Sequence, residues 1–478
     1  MAGNKRHVVC LPFPAQSHMM AMLKLAKLLH HRGFYITLVN TAYNQKHLLS
    51  AGQSSVLDSL PDDFKFETIM DALPSISNAS QDYNSLWQSL EDNCATQVLN
   101  LLTKLSDDAT LSHNPPVTAI ISDGFMPFTT EAAQKTGVPI ILFWPIPACA
   151  FMASYQFKAL KDKGIAPLND TSDLTNGYLE KIIDWIPGMK DIRLRDLPSP
   201  FRTTDPNDVW YNAYIKSTQN AAKASANIIH TFDALEADVL HVLSSMFPQV
   251  HTIGPIQLHL NQISNMDEKL KSLGYSFWRE DSECLRWLDS KEVESVVYVN
   301  FGSSTVMTEQ QLKEFAWGLA DSCHYFLWVI RPDLIMGDSA ILPPEFTAEI
   351  KDRGLIRSWC SQEEVLNHPS IAGFLTHGGW NSIVESISAG VPMLCWPFIG
   401  DQMTNCRYLC WEWEIGMEID KDVKRKEVEK LVRELMEGEQ GKKMKKRAME
   451  WKKLAKEATS PYGSSTFSLD KLVNKVLL

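Results

Sequence analysis

Residues 7–40 read HVVCLPFPAQSHMMAMLKLAKLLHHRGFYITLVN, and this stretch decides the fold class. His7–Phe13 is a short apolar run with paired valines, the composition of a strand buried on both faces. The polar segment PAQSH follows as a loop. From Met19 to His31 the apolar residues Met19, Met22, Leu25, Ala26 and Leu29 recur at helical spacing, so one stripe of a helix faces a core. Gly33 stops that helix and Phe34–Val39 is a second buried strand. Strand, helix and strand in such short compass form a βαβ unit, which implies a parallel sheet with helices on both faces.

The same pattern recurs further along. Val117–Ser122 and Pro139–Trp144 read as strands flanking a helix near Phe128–Lys135. A second series begins at Ser295–Asn300 and continues with a helix around Glu309–Ser322 and strands at Tyr325–Ile330, Leu355–Ser358 and Ile371–Thr376. A helix at Asn381–Ala389 and a strand at Pro392–Trp396 complete it. Two such series imply an α/β protein with two doubly wound domains. The expected division is 1–253, a polar linker at 254–281, a second domain at 282–455 and a helical tail at 456–478 that packs back on the first domain.

The chain has 478 residues, 45% hydrophobic and 22% charged, as in ordinary globular proteins. Its 57 acidic and 46 basic residues give a net charge of −11, which argues against non-specific binding to nucleic acid or anionic membrane. The nine cysteines are scattered with no Cys-x-x-Cys pair, which points to free thiols in a reducing compartment. The start has no long apolar region with a cleavage site, and Val138–Ala153 is too short and too broken by proline to span a bilayer. A cytoplasmic protein without an integral membrane segment is expected.

In open parallel sheets ligands bind beyond the carboxyl ends of the strands. That rule selects the loops at Pro14–His18, after Asp123, at Gly302–Thr305 and at His377–Asn381, and the segment after Trp396. His18 could take a proton from a hydroxyl, with Asp123 fixing its tautomer as the carboxylate of a hydrolase triad does. Read alone, the two residues fit better as caps of a turn and a helix. Gly302-Ser303-Ser304 and His377-Gly378-Gly379-Trp380-Asn381-Ser382 are small-residue loops that could present N–H groups and hydroxyls to phosphate. Neither matches a P-loop, and Gly-x-Gly-x-x-Gly occurs nowhere, which weighs against a nicotinamide-dependent oxidoreductase. No His-x-x-x-His or carboxylate-rich loop suggests a metal, so none is expected.

One stretch is far more specific. Trp359–Gln402, WCSQEEVLNHPSIAGFLTHGGWNSIVESISAGVPMLCWPFIGDQ, closely resembles the signature box of plant UDP-sugar-dependent glycosyltransferases that act on small secondary metabolites. The likeness extends over nearly the whole chain, through PFPAQSH, ISDG and VVYVNFGS. It implies a GT-B fold, two facing Rossmann-like domains with parallel sheets and a cleft between them. It also implies a division of labour. The second domain would hold UDP-glucose as co-substrate, with no separate cofactor, and the first would shape the acceptor pocket.

The resemblance also assigns residues. Trp359 would stack on uracil, with Cys360 beside it, and Gln362 would support the nucleoside. Glu385 would accept from the ribose hydroxyls. His377, Gly379, Asn381, Ser382 and Ser303 would hold the diphosphate, and Trp380, Asp401 and Gln402 the sugar. Gln at the last position goes with glucose in this family. His18 becomes the general base and Asp123 its partner. Three departures stand out: Met19-Met20-Ala21 after the base, Gly378 where cysteine is usual, and Pro145 where a hydroxyl residue is common.

The implied reaction is inverting transfer of glucose to an acceptor hydroxyl. Met19, Met20, Phe125, Trp144, Phe151 and Met152 are the candidate acceptor contacts, so a small, largely apolar skeleton is expected. The AQSHMMAMLKLA opening (Ala15–Ala26) and LTNGYL (Leu174–Leu179) resemble the terpenoid-acting branch of the family. They favour a diterpenoid such as steviol, at its 13-hydroxyl, over a flavonoid, monoterpenol or cyanohydrin. A non-catalytic nucleotide-sugar or terpenoid binder would keep Trp359 and Glu385 but has no need of His18 with Asp123. The family implies a monomer.

Overall fold

The computed structural model describes residues 5–50, 60–70, 83–111, 114–274, 276, 278–332, 334–335 and 342–478. The chain forms two compact units, each built on its own sheet. The described residues up to 276 join with Glu457–Leu478 in the first, and Trp278–Lys456 form the second.

The first unit carries β1 (His7–Leu11), β2 (Tyr35–Thr41), β3 (Phe64–Ile69), β4 (Val117–Asp123) and β5 (Ile140–Trp144). A small antiparallel hairpin follows, β6 (Ile182–Ile183) with β7 (Ile192–Arg193), and then β8 (Ala226–Ile229) and β9 (Val250–Thr252). Its main sheet runs β3-β2-β1-β4-β5-β8-β9 with every pairing parallel. The second unit carries β10 (Val296–Asn300), β11 (Tyr325–Val329), β12 (Gly354–Arg357), β13 (Ile371–Thr376), β14 (Met393–Cys395) and β15 (Gly416–Glu418). Its order is β12-β11-β10-β13-β14-β15, again all parallel.

The two orders share one feature. Each series begins on a central strand, builds outward on one side, and then crosses to the other. The crossing lies between β1 and β4 in the first sheet and between β10 and β13 in the second. At such a point neighbouring connections leave in opposite directions and open a crevice at the strand ends. The Leu11–Ser122 pairing brings the ends of β1 and β4 level, and Asn300–Thr376 does the same for β10 and β13.

The cores follow from the sequence pattern. β1 is buried along its whole length, and the helix Gln16–His31 turns Met19, Met22, Leu25, Ala26 and Leu29 inward, each at most 1% exposed. Each of the Met and Leu side chains contributes roughly 1.5–3 kcal/mol on burial. The helix starts at Gln16 rather than Met19. The N–H groups of a first helical turn have no intrahelical partner, so the polar Gln-Ser-His triplet reads as loop in sequence yet fits helix in the structure.

The aromatic-rich region after β5 supplies β8 and β9, which weak periodicity had concealed. The stretch 254–281, expected as a linker, instead contributes Ile256, Leu270 and Leu273 to the first core. The Lys27 ammonium donates to the Leu273 carbonyl at 2.5 Å, pinning this segment to the first helix. The helix Ser464–Leu472 adds Leu469 and Leu472 to the same core, and the Arg6 guanidinium donates to the terminal Leu478 carbonyl at 2.8 Å. In the second unit, Met444 of the helix Glu439–Ala458 joins the core, and the Trp451 indole donates to the Trp413 carbonyl at 3.0 Å.

Candidate active site

At the first crossing, β1 leads through Pro14 into the helix Gln16–His31, so His18 sits in its first turn. Asp123 is the last residue of β4 and is fully buried. Its Oδ2 lies 2.7 Å from His18 Nδ1, and its Oδ1 accepts the Phe125 N–H at 3.0 Å. One carboxylate therefore fixes both the turn after β4 and the imidazole. Against a carboxylate oxygen, Nδ1 is the ring nitrogen that donates, and proton acceptance falls to Nε2. Phe13 and Phe125 flank the ring at 5.4 and 5.9 Å, while its side chain stays 18% exposed. A positioned, partly accessible imidazole with a set tautomer is equipped for general base chemistry.

The six expected acceptor contacts divide in the structure. Phe125 lies edge-on to His18, and Met20 is half-buried with its sulfur 3.9 Å from the Gln16 amide nitrogen. Met19, Trp144, Phe151 and Met152 are core, all at most 2% exposed. Trp144 donates its indole N–H to Asn227 at 3.0 Å and packs on Phe151, with ring centroids 4.6 Å apart. Gly124 lies so close that a Cβ there would stand 2.4 Å from the Trp144 ring. Glu236, not singled out in the sequence, is buried and accepts the Ala148 and Cys149 N–H groups, both at 2.8 Å. Burial raises its carboxyl pKa, and those hydrogen bonds partly offset the rise.

At the second crossing, the loop after β10 holds Ser303 and Ser304, both half-buried. Gly302, at φ 71°, donates to the Asn300 side chain at 2.9 Å. The buried Arg331 guanidinium donates to the Gly302 carbonyl at 2.6 Å and also to that of Thr305, pulling both carbonyls to one side. After β13 come His377, Gly378 and Gly379, then the helix Trp380–Ala389, whose Gly379 N-cap offers no side-chain acceptor. Cβ atoms at Gly302 and Gly379 would stand 2.5 and 2.4 Å from His377 ring atoms. The glycines thus let two backbones close on one imidazole. Burial, reinforced by Arg331, lowers the His377 pKa to about 3, so its ring is neutral at working pH. A Cβ at Gly378, at φ 79°, would stand 2.7 Å from the Cys395 sulfur, which accounts for glycine there.

A polar chain links the rest of the signature stretch. Asn300 donates to Tyr298 at 2.8 Å and to Gln362 at 3.0 Å. Gln362 in turn donates to Ser382 at 2.9 Å and to Glu385 at 2.8 Å. Tyr298 and Asn300 were missed in the sequence. Their signal was the polar alternation Tyr298-Val299-Asn300 inside a fully buried strand. Trp359 is half-buried and stacks on Trp278, with centroids 4.7 Å apart and planes at 30°. Cys360 is buried with its sulfur 3.4 Å from the Tyr298 hydroxyl. The Trp380 ring is also buried, 5.8 Å from Trp413, while its backbone N–H belongs to the first turn of the helix, which has no intrahelical acceptor. The Gln402 carbonyl oxygen accepts from Phe398 and Ile399 at 2.8 and 2.9 Å, which leaves its amide NH₂ to donate elsewhere. Asn405 bridges Asp401 at 2.8 Å and the Gly378 carbonyl at 3.0 Å. Among the described residues, no three His, Cys, Asp or Glu converge as metal ligands, and no helix is long and apolar enough to cross a membrane.

Residues 7–461 match the family described as "UDP-glucoronosyl and UDP-glucosyl transferase". The chain is 55% identical to 7-deoxyloganetin glucosyltransferase of Gardenia jasminoides, over 99% of this chain and 98% of that protein. It is 51% identical to (R)-mandelonitrile beta-glucosyltransferase of Prunus dulcis, with the same coverage of 99% and 98%. Among solved structures, Os79 from O. sativa in complex with UDP superposes with a TM-score of 0.80 at 27% identity, covering 98% of this chain and 99% of that one.

Proposed function

This chain belongs to the UDP-glucoronosyl and UDP-glucosyl transferase family, and from that premise we propose that it transfers glucose from UDP-glucose, with inversion, to a hydroxyl of a compact, largely apolar plant metabolite. Membership makes the protein a UDP-sugar-dependent glycosyltransferase of GT-B fold. The finer reading rests on the site.

The observation that carries the mechanism is the 2.7 Å contact between His18 and Asp123 at the first crossing. His18 Nε2 takes the acceptor proton as the oxygen attacks the anomeric carbon. Asp123 balances the imidazolium that forms, and the Phe13 and Phe125 rings keep the base in a dry setting. UDP-glucose carries an α bond, and the almond relative is named a beta-glucosyltransferase. A β product from an α donor supports a single displacement with inversion.

UDP departs with negative charge. A neutral His377, the Ser303–Ser304 loop and the first N–H groups of Trp380–Ala389 supply donors for that charge, with the helix dipole aligned to favour it. Gln362 and Glu385 suit the ribose, Trp359 the uracil, and Asp401 with the Gln402 amide the sugar hydroxyls. On this reading no metal takes part. Two relatives are named for 7-deoxyloganetin and for mandelonitrile, which favours an iridoid-type alcohol or a cyanohydrin. A diterpenoid such as steviol is the bulkier arm of the same test.

The test is a mass-spectrometric transfer assay with UDP-glucose and EDTA. The acceptors are an iridoid aglycone, a cyanohydrin, a monoterpenol, a flavonol and steviol. A gain of one hexose on the compact aliphatic alcohols, as a β-glucoside, is expected. Gain on the flavonol or steviol alone would overturn the acceptor assignment, and an α product would overturn inversion. Loss of turnover in EDTA, restored by a divalent cation, would overturn the metal-free mechanism.

A further inference from the structure

The stretch entering the second unit does more than connect. Asp281 donates its N–H to the Trp359 carbonyl at 3.1 Å, and its carboxylate forms an ion pair with Arg357, 3.0 Å from Nε. Arg357 also pairs with Glu283, whose N–H is capped by the Asp281 side chain at 2.8 Å. Residues 281–283 are thereby clipped to the Trp359 backbone and to the Arg357 side chain. Three residues earlier, Trp278 lays its indole against that of Trp359, 4.7 Å between centroids at 30°. Among the described residues, Trp278 is the one ring recorded against Trp359, and Trp359 remains half-buried.

We propose that Trp278 is a positioning residue for the donor nucleotide: it backs one face of Trp359 and holds the indole in the plane that receives the uracil on the other. The inference rests on the reading of Trp359 as the base platform. A single indole on a loop must lose rotamer freedom when a base stacks on it. An indole already stacked from behind, on a segment tied by a backbone bond and two ion pairs, has lost that freedom beforehand. The device lies outside the signature stretch, 81 positions upstream of Trp359 by number (359 − 278), on a segment that reads as linker.

The experiment measures UDP affinity by calorimetry, and kcat and donor KM, on the full-length protein and four variants: Trp359→Ala, Trp278→Ala, Trp278→Leu and Trp278→Phe. Thermal melts check folding, and the Leu and Phe variants keep apolar bulk should Trp278→Ala fail to fold. Trp359→Ala is expected to weaken UDP by at least about 10-fold. Trp278→Ala and Trp278→Leu should each weaken it by about 3- to 10-fold, seen in donor KM rather than kcat, with Phe restoring affinity to within about 2-fold. If Trp359→Ala weakens UDP and the Trp278 variants do not, the inference falls while the base platform stands. Tighter UDP binding by Trp278→Ala would mean that Trp278 occupies the base's own face, and also overturns it. Leu performing as well as Phe would reduce the contact to packing. If Trp359→Ala has no effect, the platform reading itself fails, and Trp278 with it.

Discussion

His18 and His377 each follow a strand that borders the crossing of its own sheet, β1 in the first unit and β13 in the second, and their surroundings are opposite. His18 has a buried carboxylate on Nδ1, aromatic flanks and a side chain 18% exposed. His377 is enclosed by two glycines and a buried arginine, with a pKa lowered to about 3. A ring that must gain and lose a proton needs a partner that stabilises its charged form. A ring that must donate a hydrogen bond to phosphate needs its charge state fixed, and burial fixes it as neutral. On the proposed reading, the same side chain serves as a base in one unit and as a constant neutral donor in the other, according to what surrounds it.

The sharpest way to break this comparison is to exchange consequences. His18→Ala is expected to lower kcat by about 10³- to 10⁴-fold while UDP affinity stays within about 2-fold. If UDP affinity fell with kcat, the separation of proton transfer from nucleotide binding would be wrong. Asp123→Asn should lower kcat by about 10²- to 10³-fold, because an amide permits the wrong tautomer and cannot balance imidazolium charge. A steady-state pH series on that variant checks it, and near-normal turnover would make Asp123 only a cap for Phe125.

At the second crossing the effects move to binding. Glu385→Ala removes the acceptor for Gln362 and, on the proposed reading, for the ribose, so UDP should weaken by about 10- to 100-fold in calorimetry. Gly302→Ala pushes a methyl group toward the His377 ring from a left-handed backbone position. It should cost about 1–3 kcal/mol of stability and raise donor KM more than it lowers kcat. A variant with unchanged melting and donor KM would show that the glycine enclosure is dispensable.

The response to acid distinguishes the units. Burial lowers the pKa of His7 and His259 to about 4 and of His230 to about 3 in the first unit, and that of His377 to about 3 in the second. These values lie below the ordinary 6.5, so between them the unfolded chain binds more protons than the folded one. Stability from this source is whole above pH 6.5 and falls as the pH drops toward 4, by about 2 kcal/mol per histidine at pH 5. Limited proteolysis between pH 7 and 5 should therefore open the first unit before the second. The reverse order would assign acid sensitivity elsewhere.

The sequence alone determined the α/β class, the strands β1, β2, β4, β5 and β10–β14, and the loops in which the functional groups lie. It could do so because burial on both faces leaves continuous apolar runs, and because crossover helices carry an apolar stripe. It also singled out His18 and Asp123, 105 positions apart, though residue type and position favoured two caps and only the family resemblance pointed to a dyad. Only the tertiary structure showed that the two side chains meet, since register between β1 and β4 brings them together, and that one carboxylate serves both His18 and the Phe125 N–H. Packing likewise decided that Met19, Trp144, Phe151 and Met152 are core, that the Trp380 ring is buried, and that residues 254–276 belong to the first unit. It also brought in Tyr298, Asn300, Glu236, Arg331 and Trp278. Composition records what a residue can do; which neighbours enclose it depends on strand order and register, and these are fixed by contacts between distant parts of the chain.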